Sequence, residues 1–291
     1  MKTELSMEHR QLILQFQKNE ITEFHIYSRL AKREKGKNAK ILQKIANDEK
    51  RHAEQWREYS GVAPSPNRLL IFFYLLMARI FGLTFSVKML ERGEESAEKN
   101  YSKIVRVIPE AQAIIDDEIK HEQMLVEMID EERIGYISSM VLGLNDALVE
   151  LTGALAGFTL AMQNSKIIGM AGLITGIAAS LSMAASEYLS EKSDQGEKDP
   201  LRAAVYTGIA YILAVVILVL PFFLIGNYFL ALALTLFSAI LIILVFSYFV
   251  AVVKDTSFIK FFREMVLISM SVAAISFGIG WLARMIFKIE V

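Results

Sequence analysis

The chain has 291 residues, of which 54% are hydrophobic, and its formal net charge at pH 7 is −1. It contains no cysteine, which excludes disulfides, thiolate metal sites and cysteine nucleophiles. Residues 1–133 contain 22 Lys/Arg and 22 Asp/Glu, whereas residues 134–291 contain only 9 and 10. This asymmetry predicts a polar domain over 1–133 followed by a membrane domain over 134–291. The lack of a basic excess argues against nucleic-acid binding.

The first domain is expected to be helical throughout. Its charged start lacks an apolar stretch, so no secretory signal peptide is expected. From residue 5 to about 133, apolar residues recur at intervals of three and four among charged ones, which is typical of helices. Breaks at 36–38, 61–67 and Pro109 predict helices over 5–34, 38–60, 67–82, 84–107 and 110–133. We therefore expect an all-α protein.

Two segments of this domain share the frame Asp-Glu-x-x-His: DEKRH at 48–52 and DEIKH at 117–121. In each frame the Glu and the His lie on one helix face, where both can bind one metal centre. A di-iron site of the ferritin-like kind also needs one Glu from each of two other helices. Glu20 and Glu94 supply them, because each precedes a tyrosine by seven residues and then a Glu-x-x-His pair. The predicted metal ligands are Glu20, Glu49, His52, Glu94, Glu118 and His121.

The alternative to a metal site is a solvated charged face. Two copies of the frame in matched order, using half of the chain's 4 histidines, make chance a poor explanation. Glu91 lies three residues before Glu94 on the same face and is a candidate for an additional or alternative ligand. Tyr27 and Tyr101 either orient the carboxylates or are core aromatics. Oxygen and nitrogen ligands without thiolate suit Fe or Mn better than Cu(I) or Zn, so we expect di-iron, with Mn as the alternative.

Residues 69–83, LLIFFYLLMARIFGL, form an apolar run that Arg79 interrupts. The run is too short to cross a bilayer comfortably. We expect a helix that lies at the membrane surface or packs in a contact between domains or subunits. A sixth span here would place the two halves of the metal site on opposite sides of the membrane.

The second domain contains five segments of the length that a membrane span requires, about 20 mostly apolar residues. Lys and Arg residues cluster in the loops 191–202 and 254–263, on the same side as the first domain. By the positive-inside rule that side is the cytoplasm. We therefore predict an integral protein of the cell membrane. Its N-terminal domain is expected in the cytoplasm and its C-terminus on the outer side of the membrane. The predicted spans are 134–162, 166–190, 202–225, 228–253 and 263–287.

The first predicted span contains Asp146 and Glu150, which are four residues apart and share one helix face. Ionisable side chains at such depth tend to mark ion pathways. The alternatives are a structural hydrogen bond to a neighbouring helix or a site near enough to the surface to be wet. If the first two spans form an antiparallel hairpin, Asp146 lies level with Met183. Carboxylates facing a thioether suit Fe(II) or Mn(II), although a Met on an apolar helix is usually packing.

Two resemblances to known families together cover nearly the whole chain. Residues 5–133 resemble the rubrerythrin branch of the ferritin-like superfamily through the six predicted ligands, and this resemblance implies a cytosolic ferritin-like four-helix bundle. Residues 134–291 resemble the vacuolar iron transporter family through GLNDALVELTGALAGF (143–158) and SMAASEYLSEKS (182–193). The fusion resembles the membrane-bound ferritin, or erythrin–vacuolar iron transporter, group.

The second resemblance implies a homodimer with five spans per subunit that moves Fe(II) or Mn(II) out of the cytosol in exchange for protons. By position, Asp146 and Met183 match the pathway residues of that family. Glu187 falls in its Ser-Glu-Tyr motif, and Glu150 has a weaker counterpart. The metal-gathering insert of plant-type members is replaced here by EKSDQGEKDP (191–200), so the first domain is expected to take over the gathering role.

We therefore expect an exporter of Fe(II), or of Mn(II), whose partners are metal ions, protons, the bilayer and a second copy of the chain. Its first domain captures, senses or oxidises iron. The alternative is an enzyme, a membrane-anchored di-iron oxidase, ferroxidase or peroxide reductase, and no catalytic residue is assigned. Acidic residues within the spans favour the transporter, because a plain anchor does not need them. Without cysteine there is no rubredoxin module, which argues against a self-contained peroxidase.

Overall fold

The structure is a computed structural model that describes residues 6–105, 107–126, 128, 131–194 and 199–287, without the side chains of 94–103, 126, 131–135 and 287. In these ranges the secondary structure consists of ten α-helices and one short 3-10 helix, which confirms the all-α prediction. The chain divides into two compact units, Met1–Asp130 and Glu131–Val291.

The first unit contains five α-helices: α1 (Met7–Ala31), α2 (Gly36–Ser60), α3 (Arg68–Phe81), α4 (Leu83–Val105) and α5 (Gln112–Val126). α1 and α2 pack along each other as an antiparallel pair, α3 packs on α1 and α4, and α5 packs on α2 and α4. A 3-10 turn that begins at Pro109 leads into α5. The assignment of α1, α2, α4 and α5 as a ferritin-like bundle stays a prediction.

Local residue chemistry places the helix ends of this unit close to the predicted breaks. The side chains of Ser6 and Asn67 each accept a hydrogen bond, at 3.2 Å, from a backbone N–H in the first turn of α1 and of α3. Gly61 ends α2 with a φ of 71°, a left-handed conformation that favours glycine. Gly82, with a φ of 92°, separates α3 from α4.

A buried aromatic pair connects the core of the first unit to its polar residues. The rings of Phe16 on α1 and Trp56 on α2 lie 5.5 Å apart, in a cluster that also contains Ile13 and Ile104. Trp56 Nε1 donates a hydrogen bond to Glu20 Oε1 at 3.2 Å. The apolar core therefore fixes the position of one of the predicted ligands.

The second unit contains five long helices: α6 (Glu131–Met162), α7 (Ser165–Ser193), α8 (Pro200–Leu224), α9 (Tyr228–Lys254) and α10 (Phe258–Phe287). All five are long and apolar enough to cross a membrane, which confirms the five predicted spans. α6 packs against each of the other four and is the central helix. The predicted loop at 254–263 was too long. α10 already begins at Phe258, because Lys260 and Arg263 interrupt the apolar pattern without interrupting the helix.

Glycine allows α6 and α10 to cross closely. A Cβ on Gly153 would lie 2.8 Å from Val272 Cγ1, and a Cβ on Gly157 would lie 3.0 Å from the Ser276 carbonyl oxygen. A Cβ on Gly280 would overlap the backbone of Gly157. Small residues at such crossings let helix backbones approach in a membrane. The crossing matters for the site, because α6 carries Asp146 and Glu150.

Candidate metal centre

Three helices of the first unit bring five of the six predicted ligands into one cluster. Glu20 comes from α1, Glu49 and His52 from α2, and Glu118 and His121 from α5. Four of these side chains are at most 2% exposed, and Glu118 is half-buried. Charged side chains are rarely buried in proteins. A cluster of several buried ones therefore indicates a site that is completed by a ligand.

The two histidines face a shared pair of glutamates. His52 Nδ1 lies 3.3 Å from Glu118 Oε1, 3.4 Å from Glu20 Oε2 and 3.7 Å from Glu49 Oε2. His121 Nδ1 lies 3.1 Å from Glu49 Oε1 and 3.2 Å from Glu118 Oε2. The two carboxylates that belong to the repeated frames therefore each lie between both imidazoles, whose centroids are 5.9 Å apart. This geometry suits two cations that share carboxylate ligands.

Two aspartates contact the outer side of the histidines. Asp117 Oδ2 lies 3.4 Å from His52 Nε2, and Asp48 Oδ2 lies 3.3 Å from His121 Nε2. Each aspartate thus contacts the histidine of the other frame. Arg51 pairs with both, at 3.0 Å from Asp48 and 2.6 Å from Asp117. A carboxylate at Nε2 holds the proton on that nitrogen and leaves Nδ1 for a metal.

No role for these aspartates was predicted from the sequence. The signal was present, because Asp48 and Asp117 are the first residues of the two frames DEKRH and DEIKH. What the sequence could not show is that each aspartate reaches across from one helix to the histidine of the other.

Additional carboxylates lie near the cluster. Tyr27, which is 1% exposed, donates a hydrogen bond to Glu91 Oε1 at 3.1 Å, so the expected alternative ligand is held in the interior. Burial raises the pKa of Glu91 to about 7. Burial, with the nearby carboxylates of the site, also raises the pKa of Glu23, a residue that was not predicted although it shares a face with Glu20. The side chains of Glu94 and Tyr101 lie outside the described part of the chain.

The cluster holds protons when no metal is bound. Burial alone would lower the pKa of His52, but the adjacent carboxylates outweigh it and raise this pKa to about 12. The same balance raises the pKa of His121 to about 10. Burial also works to raise the pKa of Glu49, yet the two histidines lower it to about 2. Burial and the charge of Glu49 raise the pKa of Glu20 well above its ordinary value.

The donor set fits a metal ion. Ligand atoms of Glu20, Glu49, His52 and Glu118 all lie within 4.8 Å of one another. Among the described residues, Glu49 Oε2 and His52 Nδ1 are buried yet make no hydrogen bond of good geometry. Such atoms are costly to bury unless something binds them, and a cation between them would do so. Carboxylate and imidazole donors without thiolate suit iron or manganese.

The four predicted pathway residues lie on α6 and α7 of the second unit. Asp146 is half-buried, and Glu150 is exposed and accepts a hydrogen bond from Tyr211 Oη on α8 at 3.1 Å. Met183 is half-buried against the apolar core, and Glu187 is 7% exposed. In the described part of this unit, the acidic residues do not form a ligand cluster as tight as that of the first unit. No motif in the sequence marked Tyr211, which is an ordinary tyrosine in an apolar span.

The comparison with protein families gives a match to the VIT family over residues 137–198. This region contains most of α6 and all of α7, and with them all four predicted pathway residues. No curated protein and no solved structure matches the chain. With five helices able to cross a membrane, the match indicates an integral membrane protein whose second unit contains a VIT family region. The function class of that family is membrane transport of a metal ion, iron or manganese.

Proposed function

We propose that the protein exports Fe(II), or alternatively Mn(II), from the cytosol in exchange for protons. The observation that carries this proposal is the pair of carboxylates, Asp146 and Glu150, inside a membrane-spanning helix and within the VIT family match. Ionisable groups in a span are unfavourable in lipid, and they persist where they serve an ion pathway. An anchor helix would gain nothing from them.

The carboxylates of the second unit supply both halves of an exchange. An ionised carboxylate binds a metal cation, and the same oxygen binds a proton when the cation leaves. Glu187 lies near the end of α7 that leads into the 191–202 loop, whose Lys and Arg residues assign it to the cytoplasm by the positive-inside rule. Among the four predicted pathway residues, it is therefore the one nearest the cytosol. Asp146 and Glu150 lie deeper, and Met183 adds a thioether that suits a transition metal.

A homodimer is part of the proposal. Glu150 is exposed on a single chain near the middle of its span, Tyr136–Met162, where lipid would otherwise surround it. The hydroxyl of Tyr211 satisfies only one of its oxygens. A second copy packed over this face of α6 would remove the carboxylate from lipid and place two pathways side by side.

The first unit, on the cytoplasmic side, is proposed to capture, sense or oxidise the metal. Glu20, Glu49, His52, Glu118 and His121 would hold one or two ions, with Glu94 or Glu91 completing the set. Two bound iron ions would supply electron transfer. The chain's own contribution is to release the histidine protons on binding, and to hold both Nδ1 atoms toward the shared carboxylates through Asp48 and Asp117.

The test is metal flux into or out of vesicles that contain the full-length protein. We expect wild type to carry Fe(II) or Mn(II). Asp146→Asn removes the charge but keeps the shape, and we expect it to lower the transport rate about tenfold or more. Glu264→Gln is the matched control, because Glu264 is an exposed carboxylate near the start of α10. His52→Ala/His121→Ala shows whether the first unit supplies the pathway.

The geometry of the first unit also favours a second candidate, a membrane-anchored di-iron oxidase, ferroxidase or peroxide-reducing enzyme. Glu49 and Glu118 each lie between both imidazoles, as carboxylates shared by two redox-active ions would. On this candidate, Asp146→Asn leaves the cellular phenotype unchanged and His52→Ala/His121→Ala abolishes it. A wild-type protein that oxidises Fe(II) but carries no metal would establish the enzyme and refute the exporter.

A further inference from the structure

Helix α3 of the first unit is apolar on two opposite faces. One face, with Ile71, Tyr74 and Leu75 buried, packs on α1 and α4. The other face is exposed, with relative exposures from 37% to 82%, and its residues recur at intervals of three and four. We name this face the α3 stripe; it consists of Leu69, Phe72, Phe73, Leu76 and Ile80.

The charged residues of the segment that contains the α3 stripe are of one sign. Residues 59–90 contain Arg68, Arg79 and Lys88 and no Asp or Glu, although residues 1–58 contain nine acidic residues. Arg68 and Arg79 are exposed and lie at the two ends of α3. The stripe is therefore flanked by positive charge at both ends.

Such a surface is unusual for a protein unit in water, because contiguous exposed apolar patches mark an interaction site. The combination of exposed Leu and Phe with basic residues is typical of helices that lie in the plane of a membrane interface. A membrane is available to this helix, since five other helices of the same chain are long and apolar enough to span one. At 14 residues, or about 21 Å, α3 is too short to cross a bilayer but long enough to lie on one.

We propose that α3 is a membrane-surface helix: the α3 stripe enters the acyl–headgroup boundary, and Arg68 and Arg79 bind anionic lipid headgroups. A second copy of the chain is the rival occupant of the stripe. A two-fold contact between two α3 helices would place basic ends next to basic ends, because an isologous interface repeats the same surface on both sides. Like charges at an interface oppose association, whereas anionic lipid neutralises them.

Because the chain contains no cysteine, a single introduced cysteine can be labelled site-specifically. Phe72→Cys and Leu76→Cys would carry an environment-sensitive fluorophore in the full-length protein. The protein would be reconstituted in vesicles of phosphatidylcholine with phosphatidylglycerol, with a lipid-borne quencher on the acyl chains. Glu54→Cys, on an exposed position of α2, is the matched control. All three positions are exposed, so labels there do not disturb the core.

We expect the lipid quencher to remove more than about half of the fluorescence at positions 72 and 76 and to leave position 54 unchanged, because interfacial helices insert roughly 5–10 Å. Quenching should weaken when phosphatidylglycerol is omitted. Equal quenching at all three positions, or none, would overturn the proposal. Spin labels at 72 and 76 that couple strongly between copies, without lipid quenching, would also overturn it and assign the stripe to a dimer. Metal flux does not enter this test, so its outcome is independent of the proposed transport.

Discussion

Raising the pH from 6 to 7 is expected to tighten metal binding by the first unit about 100-fold. In the metal-free state both His52 and His121 are protonated over this range, since their pKa values are raised to about 12 and about 10. Binding through Nδ1 requires each imidazole to lose one proton. The apparent affinity therefore rises about tenfold per proton per pH unit, and two protons correspond to about 2.7 kcal/mol.

Carboxylates that are protonated before the metal binds would add to the two protons that the histidines release. Glu49 is already ionised, because its pKa is lowered to about 2, and it releases nothing. Burial raises the pKa of Glu20 well above its ordinary value and that of Glu91 to about 7, so a metal that binds either group displaces further protons. Two is therefore the smallest number that the structure supports at pH 7.

The assay is calorimetric titration of the full-length protein with Mn(II), repeated in buffers of different ionisation heat so that released protons are counted. His52→Ala/His121→Ala is the control, and its titration is subtracted so that metal bound elsewhere in the chain does not contribute. An affinity of the first unit that is independent of pH between 6 and 7, or a release of fewer than about two protons, would contradict this prediction.

Three further predictions concern single side chains. Asp117→Asn should weaken metal binding about 10- to 100-fold in titrations because it removes the carboxylate that orients a ligating histidine, whereas Asp116→Asn, its exposed neighbour on α5, should not. Gly280→Ala should lower the stability of the protein in detergent by about 1–3 kcal/mol, because the added Cβ would overlap the backbone of α6. Gly278→Ala is the control, since a Cβ there meets open space and should be neutral. Equal melting temperatures of the two variants would contradict this packing. Tyr211→Phe should slow metal flux in vesicles without unfolding the protein, since it removes one hydroxyl from an exposed carboxylate; an unchanged rate would separate Tyr211 from the pathway.

Sequence periodicity could predict most of the helices and the meeting of the two frames. The i, i+3 spacing of Glu49 with His52 and of Glu118 with His121 defines one face on each helix, and a repeated polar face in an apolar bundle favours burial against its copy. The structure does place these four side chains together. Their role as metal ligands stays a prediction.

The contacts between helices could not be predicted, because they depend on the rotation and offset of one helix against another. The cross-pairing of Asp48 with His121 is one such contact, and the hydrogen bond between Tyr27 and Glu91 is another. In the second unit, the apolar spans have no polar pattern to define a face. The contact of Tyr211 with Glu150 therefore had no signal in the sequence.

Vesicle flux with an imposed pH gradient shows whether the second unit carries metal through its acidic residues. We expect wild type to move Fe(II) or Mn(II), at a rate that rises when protons can flow in the opposite direction. We expect Asp146→Asn to slow the movement about tenfold or more and Glu264→Gln to leave it unchanged. Wild-type vesicles that carry no metal under any gradient, from protein that still binds or oxidises Fe(II), would rule out metal export by the second unit.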